Sequence, residues 1–166
     1  TDRNLPEVTT RHVASVVSSK GEAEAITTEL DARNLSLPIG SEEVHPIDMA
    51  GAAAVLANGG IRHRPYFIDR VTDRRGNVIY EHQSPGRQVV SQQSACLATE
   101  ALEANVRAGT GTAAQLSNMA VAGKTGTAQS FRDAWFVGYT PFLATAVWMG
   151  NAEARVPMTS VGGRTV

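Results

Sequence analysis

Between Met119 and Gly150 three strand-like stretches follow one another with very short connections: the run through Lys124-Thr-Gly-Thr, then Asp133 to Tyr139, then Leu143 to Gly150 after the Thr140-Pro141 break. Parallel neighbours need a crossover of a dozen or more residues, so links this short imply antiparallel pairing. Helical signals precede them. Ser41-Glu-Glu-Val-His-Pro supplies a capping residue and a proline near a helix start, Ile47 to Leu56 is an apolar run, and Asn58-Gly59-Gly60 is a stop. Ser91 to Arg107 places Ala95, Ala98, Leu102 and Val106 at helical spacing and closes on Ala108-Gly109, which predicts a second helix. Arg64 to Thr72 and Asn77 to Glu81 are β-rich and flank the turn residues Asp73-Arg74-Arg75-Gly76, so a hairpin is expected over 64–82. The expected fold class is α+β, an antiparallel sheet flanked by helices.

The N-terminal third says less. Thr9 to Leu30 is rich in Ala, Glu and Ser and reads as one or two helices interrupted at Gly21, followed by a loop from Asn34 to Gly40. No internal repeat breaks the chain, and 166 residues suit one ordinary domain or a large piece of a bigger one. Aromatic residues make up only 5% of the sequence, so the core is built mainly from Ala, Val, Leu and Ile, and its elements must pack closely. Met49, Val55 and Leu56 are expected in that core, and Cys96 is expected as a small buried hydrophobe.

A net charge of -1 gives no basic field to attract nucleic acid or an anionic membrane. One cysteine allows neither an internal disulfide nor a Cys-x-x-Cys site. The histidines at 12, 45, 63 and 82 form no i, i+4 pair, so no metal is expected. Two glycine motifs imitate nucleotide-binding loops and fail on context. A phosphate loop ending at Gly123-Lys124-Thr125 needs glycine where Asn118 stands, and a helix afterwards; Gly109-x-Gly111-x-x-Ala114 follows a helix where a dinucleotide fingerprint follows a strand. No cofactor is expected.

Thirteen of the fifteen basic residues are Arg, and the two lysines are Lys20 and Lys124. A primary amine can move a proton where guanidinium cannot. Beside Lys124, the hydroxyls of Thr125 and Thr127 can grip a carboxylate, Gly126 leaves the strand bare for a substrate backbone, and an edge strand offers N–H groups to an oxyanion. Strict alternation puts Lys124 on one face and both threonines on the other, so all three can serve one site only from a twisted edge. The alternative is an ordinary exposed strand with a solvated lysine.

Lys124-Thr-Gly-Thr-Ala-Gln, Asp133-Ala-Trp-Phe-Val-Gly-Tyr-Thr-Pro141 and Ala144-Thr-Ala-Val-Trp-Met-Gly150 together resemble the end of the transpeptidase domain of class A penicillin-binding proteins. Pro46 to Gly60 looks like a helix upstream of the Lys-Thr-Gly region in that family, and the hairpin and Val106-Arg-Ala-Gly-Thr-Gly-Thr-Ala113 stand in the expected order. Such enzymes use Ser-x-x-Lys, a Ser-x-Asn type motif and Lys-Thr-Gly. Here Val17 and Val121 stand three residues before the two lysines, and no Ser-x-Asn occurs. The resemblance therefore implies the C-terminal portion, over 1–166, of a domain of the serine β-lactamase/D,D-transpeptidase-like fold, whose nucleophile lies outside this chain. Ser160-Val-Gly-Gly-Arg-Thr resembles the stretch before the family's final helix.

By the same resemblance Lys124 would position and polarise the middle-motif serine. Thr125 and Thr127 would bind the terminal carboxylate of a D-Ala-D-Ala stem peptide or of a β-lactam antibiotic, with Gly126 between them, and the Thr127 backbone N–H would be an oxyanion donor. Trp135 is expected as a core aromatic more than a substrate contact, Asp133 as a cap or an Arg partner, and Arg74 and Arg75 as a solvated turn. The implied protein is a membrane-anchored, extracytoplasmic peptidoglycan synthase whose remaining transpeptidase portion is this chain's partner. A D,D-carboxypeptidase, a β-lactamase and a penicillin-recognising sensor domain are the alternatives.

Overall fold

The computed structural model describes residues 12–17, 23–28, 40, 42–128, 131–151 and 156–158. Internal contacts divide the chain into two units, Thr1–Asp48 and Met49–Val166.

In the first unit, strands β1 (His12–Val17) and β2 (Ala23–Thr28) pair antiparallel, His12 opposite Thr28 and Val17 opposite Ala23. This corrects the helices expected over Thr9 to Leu30. Val13, Val16, Val17, Ile26, Thr27 and Thr28 are β-branched, and their preference for pleated backbone outweighs the helical leaning of the Ala and Glu residues among them. Gly21, read as a helix interruption, and all but Gly40 of the loop expected from Asn34 to Gly40 lie outside the described residues, as does the stretch from Ser160.

Helix α1 (Pro46–Ala57) begins on proline, whose fixed φ suits the first helical position, and carries Asp48 in its positive first turn. It stops at the glycine pair. Gly59 and Gly60 have φ of 61° and 90°, and the Gly60 N–H donates to the Val55 carbonyl at 2.8 Å. The chain then enters β3 (Ile61–Arg62), which pairs with β6 (Arg87–Gln88); the Gly60 carbonyl accepts from Val89 and Val90 N–H at 2.9 and 3.2 Å. A Cβ at Gly60 would fall on the Val90 carbonyl oxygen and lie 2.6 Å from Gln88 Nε2. Gly60→Ala is therefore expected to cost about 2 kcal/mol of unfolding free energy, from left-handed backbone strain plus a clash with rigid main chain. Chemical denaturation checks this, and an unchanged midpoint would refute it.

Strands β4 (Arg70–Thr72) and β5 (Val78–Glu81) form the expected hairpin, shorter than the 64–82 span. Asp73 fixes its turn: Oδ1 accepts from the N–H groups of Arg75 at 2.8 Å and Asn77 at 2.9 Å, and Oδ2 accepts from Asn77 Nδ2 at 2.8 Å. These hydrogen bonds, the Asn77 side chain's foremost, hold the Asp73 carboxyl below its ordinary pKa. Arg74 and Arg75 are exposed, as expected of a solvated turn.

Helix α2 (Gln92–Ala108) starts on Ser91, whose Oγ accepts from Ser94 N–H at 3.1 Å. Its inward stripe runs through Ala95, Thr99, Leu102 and Val106, with Ala95 and Val106 buried. Cys96 sits one position off that stripe and is exposed, which corrects the expectation of a buried thiol. After a 3₁₀ turn (Thr112–Ala114) come β7 (Ala122–Thr127), β8 (Asp133–Tyr139) and β9 (Ala144–Gly150), an antiparallel sheet in that order. Ala53, Ala122 and Tyr139 form the core centre, with Leu56, Leu102, Val137 and Ala144 against them. Val55 is buried, and Met49 and Leu56 are half-buried.

Thr99 donates to the Ala95 carbonyl at 2.8 Å, which leaves Tyr139 to donate to Thr99 Oγ1, also at 2.8 Å. Desolvation raises the Tyr139 pKa, the Thr99 hydrogen bond lowers it and Glu103 raises it, with a net upward shift. Small residues set the close spacing: Phe136 fills the space that side chains at Gly123 and Gly138 would take.

Candidate active site

The register sorts the motif by face. Ala122, Lys124 and Gly126 stand opposite Tyr139, Val137 and Trp135, on the face that carries the core. Gly123, Thr125 and Thr127 stand opposite Gly138, Phe136 and Ala134, on the other face.

The backbone converges where the side chains alternate. Ala128 N–H donates to the Asp133 carbonyl at 2.9 Å, so within the ladder the even-numbered residues of β7 turn their N–H and C=O groups toward β8. Those of Gly123, Thr125 and Thr127 turn the other way, toward an edge that no other described strand pairs with. Two of these outward carbonyls are occupied by side chains. Asn105 Nδ2 donates to the Gly123 carbonyl at 2.8 Å, and Lys124 Nζ curls over the edge to the Thr125 carbonyl at 2.7 Å. The Thr127 N–H points out along the same margin.

The outward-turned backbone of the odd-numbered residues and the reach of Lys124 Nζ over the edge bring the ammonium of Lys124, the hydroxyl of Thr125 and the outward N–H of Thr127 to one margin of the sheet. Thr127 and Lys124 are exposed, and Thr125 and Gly126 are half-buried. At Gly126 an added Cβ would meet the Trp135 Cβ at 3.3 Å, so cross-strand packing also favours glycine there. Trp135 is half-buried opposite Trp148, a cross-strand aromatic pair in the sheet. Asp133 has a different partner from the expected cap or Arg: its Oδ1 accepts from Trp148 Nε1 at 2.8 Å, which satisfies an indole N–H and pins one end of β8 to β9.

Two residues that the motif reading did not single out touch it directly. Thr110 Oγ1 lies 2.8 Å from Thr125 Oγ1, and Asn105 Oδ1 accepts from the Thr110 N–H and hydroxyl, both at 3.2 Å. The available signal was a polar Asn105 beside the inward stripe of α2, followed by a glycine-flanked threonine. A cavity of ≈ 140 Å³ lined by Leu56, Thr99, Ala122 and Tyr139 lies by the start of β7, and none of Lys124–Thr127 lines it. The motif stands on an open margin.

Comparison with known proteins gives this edge its context. A family model described as the penicillin binding protein transpeptidase domain matches residues 14–155. Penicillin-binding protein 1A of Aquifex aeolicus is 38% identical over 115 residues, covering 69% of this chain and 16% of the relative. Penicillin-binding protein 1F of Bacillus subtilis is 34% identical over 156 residues, 89% of this chain and 22% of the relative. The chain thus spans about a fifth of the length of these relatives.

Among solved structures, the penicillin-binding protein PonA1 of Mycobacterium tuberculosis superposes with a TM-score of 0.69 at 35% identity, covering 80% of this chain and 36% of that one. Penicillin-binding protein A of the same organism, solved as an imipenem acyl-enzyme complex, gives a TM-score of 0.60 at 28% identity, with 69% of this chain and 28% of that one covered. The mixed helix and antiparallel-sheet architecture is that of these neighbours, the β-lactamase-like fold. In sequence and in fold alike, this chain belongs to the penicillin-binding protein transpeptidase domain family, as a fragment of a class A member.

Proposed function

We propose that this chain supplies the Lys-Thr-Gly edge of a peptidoglycan D,D-transpeptidase that cross-links stem peptides through a serine acyl-enzyme, and that the nucleophile and the middle motif lie outside it. The observation that carries the reading is the open margin of β7, which presents an ammonium, a hydroxyl and an outward backbone N–H together. An incoming stem peptide or β-lactam ends in a carboxylate and reacts at a carbonyl. Thr125 and Thr127 hydroxyls and the Lys124 charge suit the carboxylate, and the Thr127 N–H suits the oxygen that becomes negative on attack. Lys124 also lends its charge to polarising the middle-motif serine. That penicillin-binding protein A of Mycobacterium tuberculosis forms an imipenem acyl-enzyme supports a β-lactam as a ligand. Trp135 shapes the sheet behind the motif.

The sheet itself supports an incomplete domain. On the face opposite the core, Phe136, Val147 and Met149 lie close together, and Val147 and Met149 keep 48% and 36% of their surface exposed. An apolar sheet face of this kind is normally covered, and the remaining part of the same domain is the proposed cover. By analogy with penicillin-binding protein 1A relatives, the whole protein is proposed to be membrane-anchored with this portion outside the cytoplasm. Among the described residues no helix is long and apolar enough to cross a membrane.

Labelling with a fluorescent penicillin tests the proposal. The complete protein is expected to form a covalent adduct that survives denaturation, and the 166-residue chain alone is expected to form none. Stoichiometric labelling of the isolated chain would place a nucleophile within it and overturn the division of the site.

A further inference from the structure

The Asn105 amide sits between two groups that fix its orientation without ambiguity. The Gly123 carbonyl can only accept, so it must face Nδ2, and the Thr110 N–H can only donate, so it must face Oδ1. Asn105 therefore ties the end of α2 to the strand just before Lys124 and holds the segment carrying Thr110 at the β7 edge. The Thr110 hydroxyl then lies within reach of two acceptors, Asn105 Oδ1 at 3.2 Å and Thr125 Oγ1 at 2.8 Å, and it has one proton to give.

We propose that Asn105 and Thr110 form a positioning relay that lets Thr125 donate its proton to the substrate carboxylate; this rests on the carboxylate-binding reading of Thr125. With the margin empty, Thr110 gives its proton to Asn105 Oδ1 and accepts from Thr125, so the Thr125 proton is turned away from the margin. An anion arriving at the edge attracts that proton. Thr125 turns its O–H to the carboxylate, and Thr110 turns its own O–H to Thr125 Oγ1. Asn105 Oδ1 keeps the Thr110 N–H at 3.2 Å, so it is not left without a partner. Both hydroxyls rotate, no proton changes owner, and each end of the chain of hydrogen bonds is satisfied in both arrangements. A chain of this kind polarises along its length and strengthens the final bond to the anion. A merely structural Thr110 would hold the loop to the strand and would be indifferent to the charge of the ligand.

The test compares a penicillin with the methyl ester of the same penicillin, which keeps the reactive ring and loses the carboxylate charge. Second-order acylation rates are measured on the complete protein carrying Thr110→Val, Thr110→Ser or Thr125→Val, with thermal unfolding as the control for folding. Thr110 is exposed, and Thr110→Ala serves as a second hydroxyl-free variant should the valine perturb the loop. Thr110→Val is expected to slow acylation by the acid about 5- to 10-fold, the size of one hydrogen bond, and to leave acylation by the ester within about twofold. Thr110→Ser should restore the acid rate, and adding Thr110→Val to Thr125→Val should cost little more than Thr125→Val alone. If Thr125→Val discriminates acid from ester and the hydroxyl-free Thr110 variants do not, the relay is wrong and the carboxylate site stands. If Thr125→Val treats acid and ester alike, the carboxylate reading of Thr125 is wrong, and the relay is overturned with it.

Discussion

Replacing Thr127 by proline is expected to lower the second-order rate of penicillin acylation of the complete protein by ~10²–10³, the cost of removing one oxyanion donor. Replacing it by valine deletes the hydroxyl and keeps both the β-branched shape and the N–H, so it is expected to weaken binding by about 1–3 kcal/mol while the oxyanion site survives. The comparison depends on the folded state of the proline variant, and the strand geometry favours it. Thr127 turns its N–H to the open edge, and the ladder bonds to β8 are made by its even-numbered neighbours, so proline removes no bond of the sheet. Proline also requires extended backbone at the residue before it, and Gly126 lies within the strand. Both variants are compared by acylation kinetics after their thermal unfolding has been matched to the parent. Equal losses in the two would show that the backbone N–H is not an oxyanion donor, and the role assigned to Thr127 would fall.

The legibility of this fold follows from where its constraints are local. Asp133–Tyr139 and the strand ending at Gly150 are bounded by turn chemistry and carry their own pattern, and α2 announces itself through Ser91 and a spaced apolar stripe. Residues 12–28 carry no such boundary: their Ala and Glu content suits a helix, and the extended backbone preferred by their β-branched residues gains its hydrogen bonds only when β1 pairs with β2. Cys96 was misplaced because apolar neighbours do not specify a phase around the helix; Ala95 is inward and the adjacent thiol is not. Asp133 is expected from its neighbours as a cap or an Arg partner, whereas the register brings the Trp148 indole into reach, and that register is a property of the assembled sheet. The candidate site divides in the same way. Lys124 through Thr127 are legible as a continuous tetrapeptide, but the contacts of Asn105 and Thr110 span fifteen or more residues and depend on how α2 meets the edge of β7.

Lys124 is the residue for which the edge geometry makes the sharpest distinction between charge and chemistry. Its Cβ belongs to the core face, yet its Nζ reaches over the margin to the Thr125 carbonyl at 2.7 Å, with the rest of the ammonium open to solvent. An ammonium there can direct its three N–H bonds independently, toward the strand carbonyl, toward a substrate carboxylate and toward the hydroxyl of a catalytic serine. Arginine keeps the charge, but its planar fork fixes its donors in one plane and its high pKa forbids it to lend a proton. Lys124→Arg is accordingly expected to slow acylation of the complete protein at least ~10-fold, and Lys124→Ala, which removes charge and donors together, by ~10²–10³. The two effects separate the roles. If the site needs only a positive charge at the margin, arginine restores most of what alanine loses; if it needs the ammonium's directed donors and exchangeable proton, arginine remains closer to alanine than to lysine. Acylation rates of both variants across the pH range, with penicillin as the acylating agent, decide between these outcomes. Unchanged rates in Lys124→Ala would leave this residue a solvated lysine on an exposed strand and remove the ammonium from the proposed site.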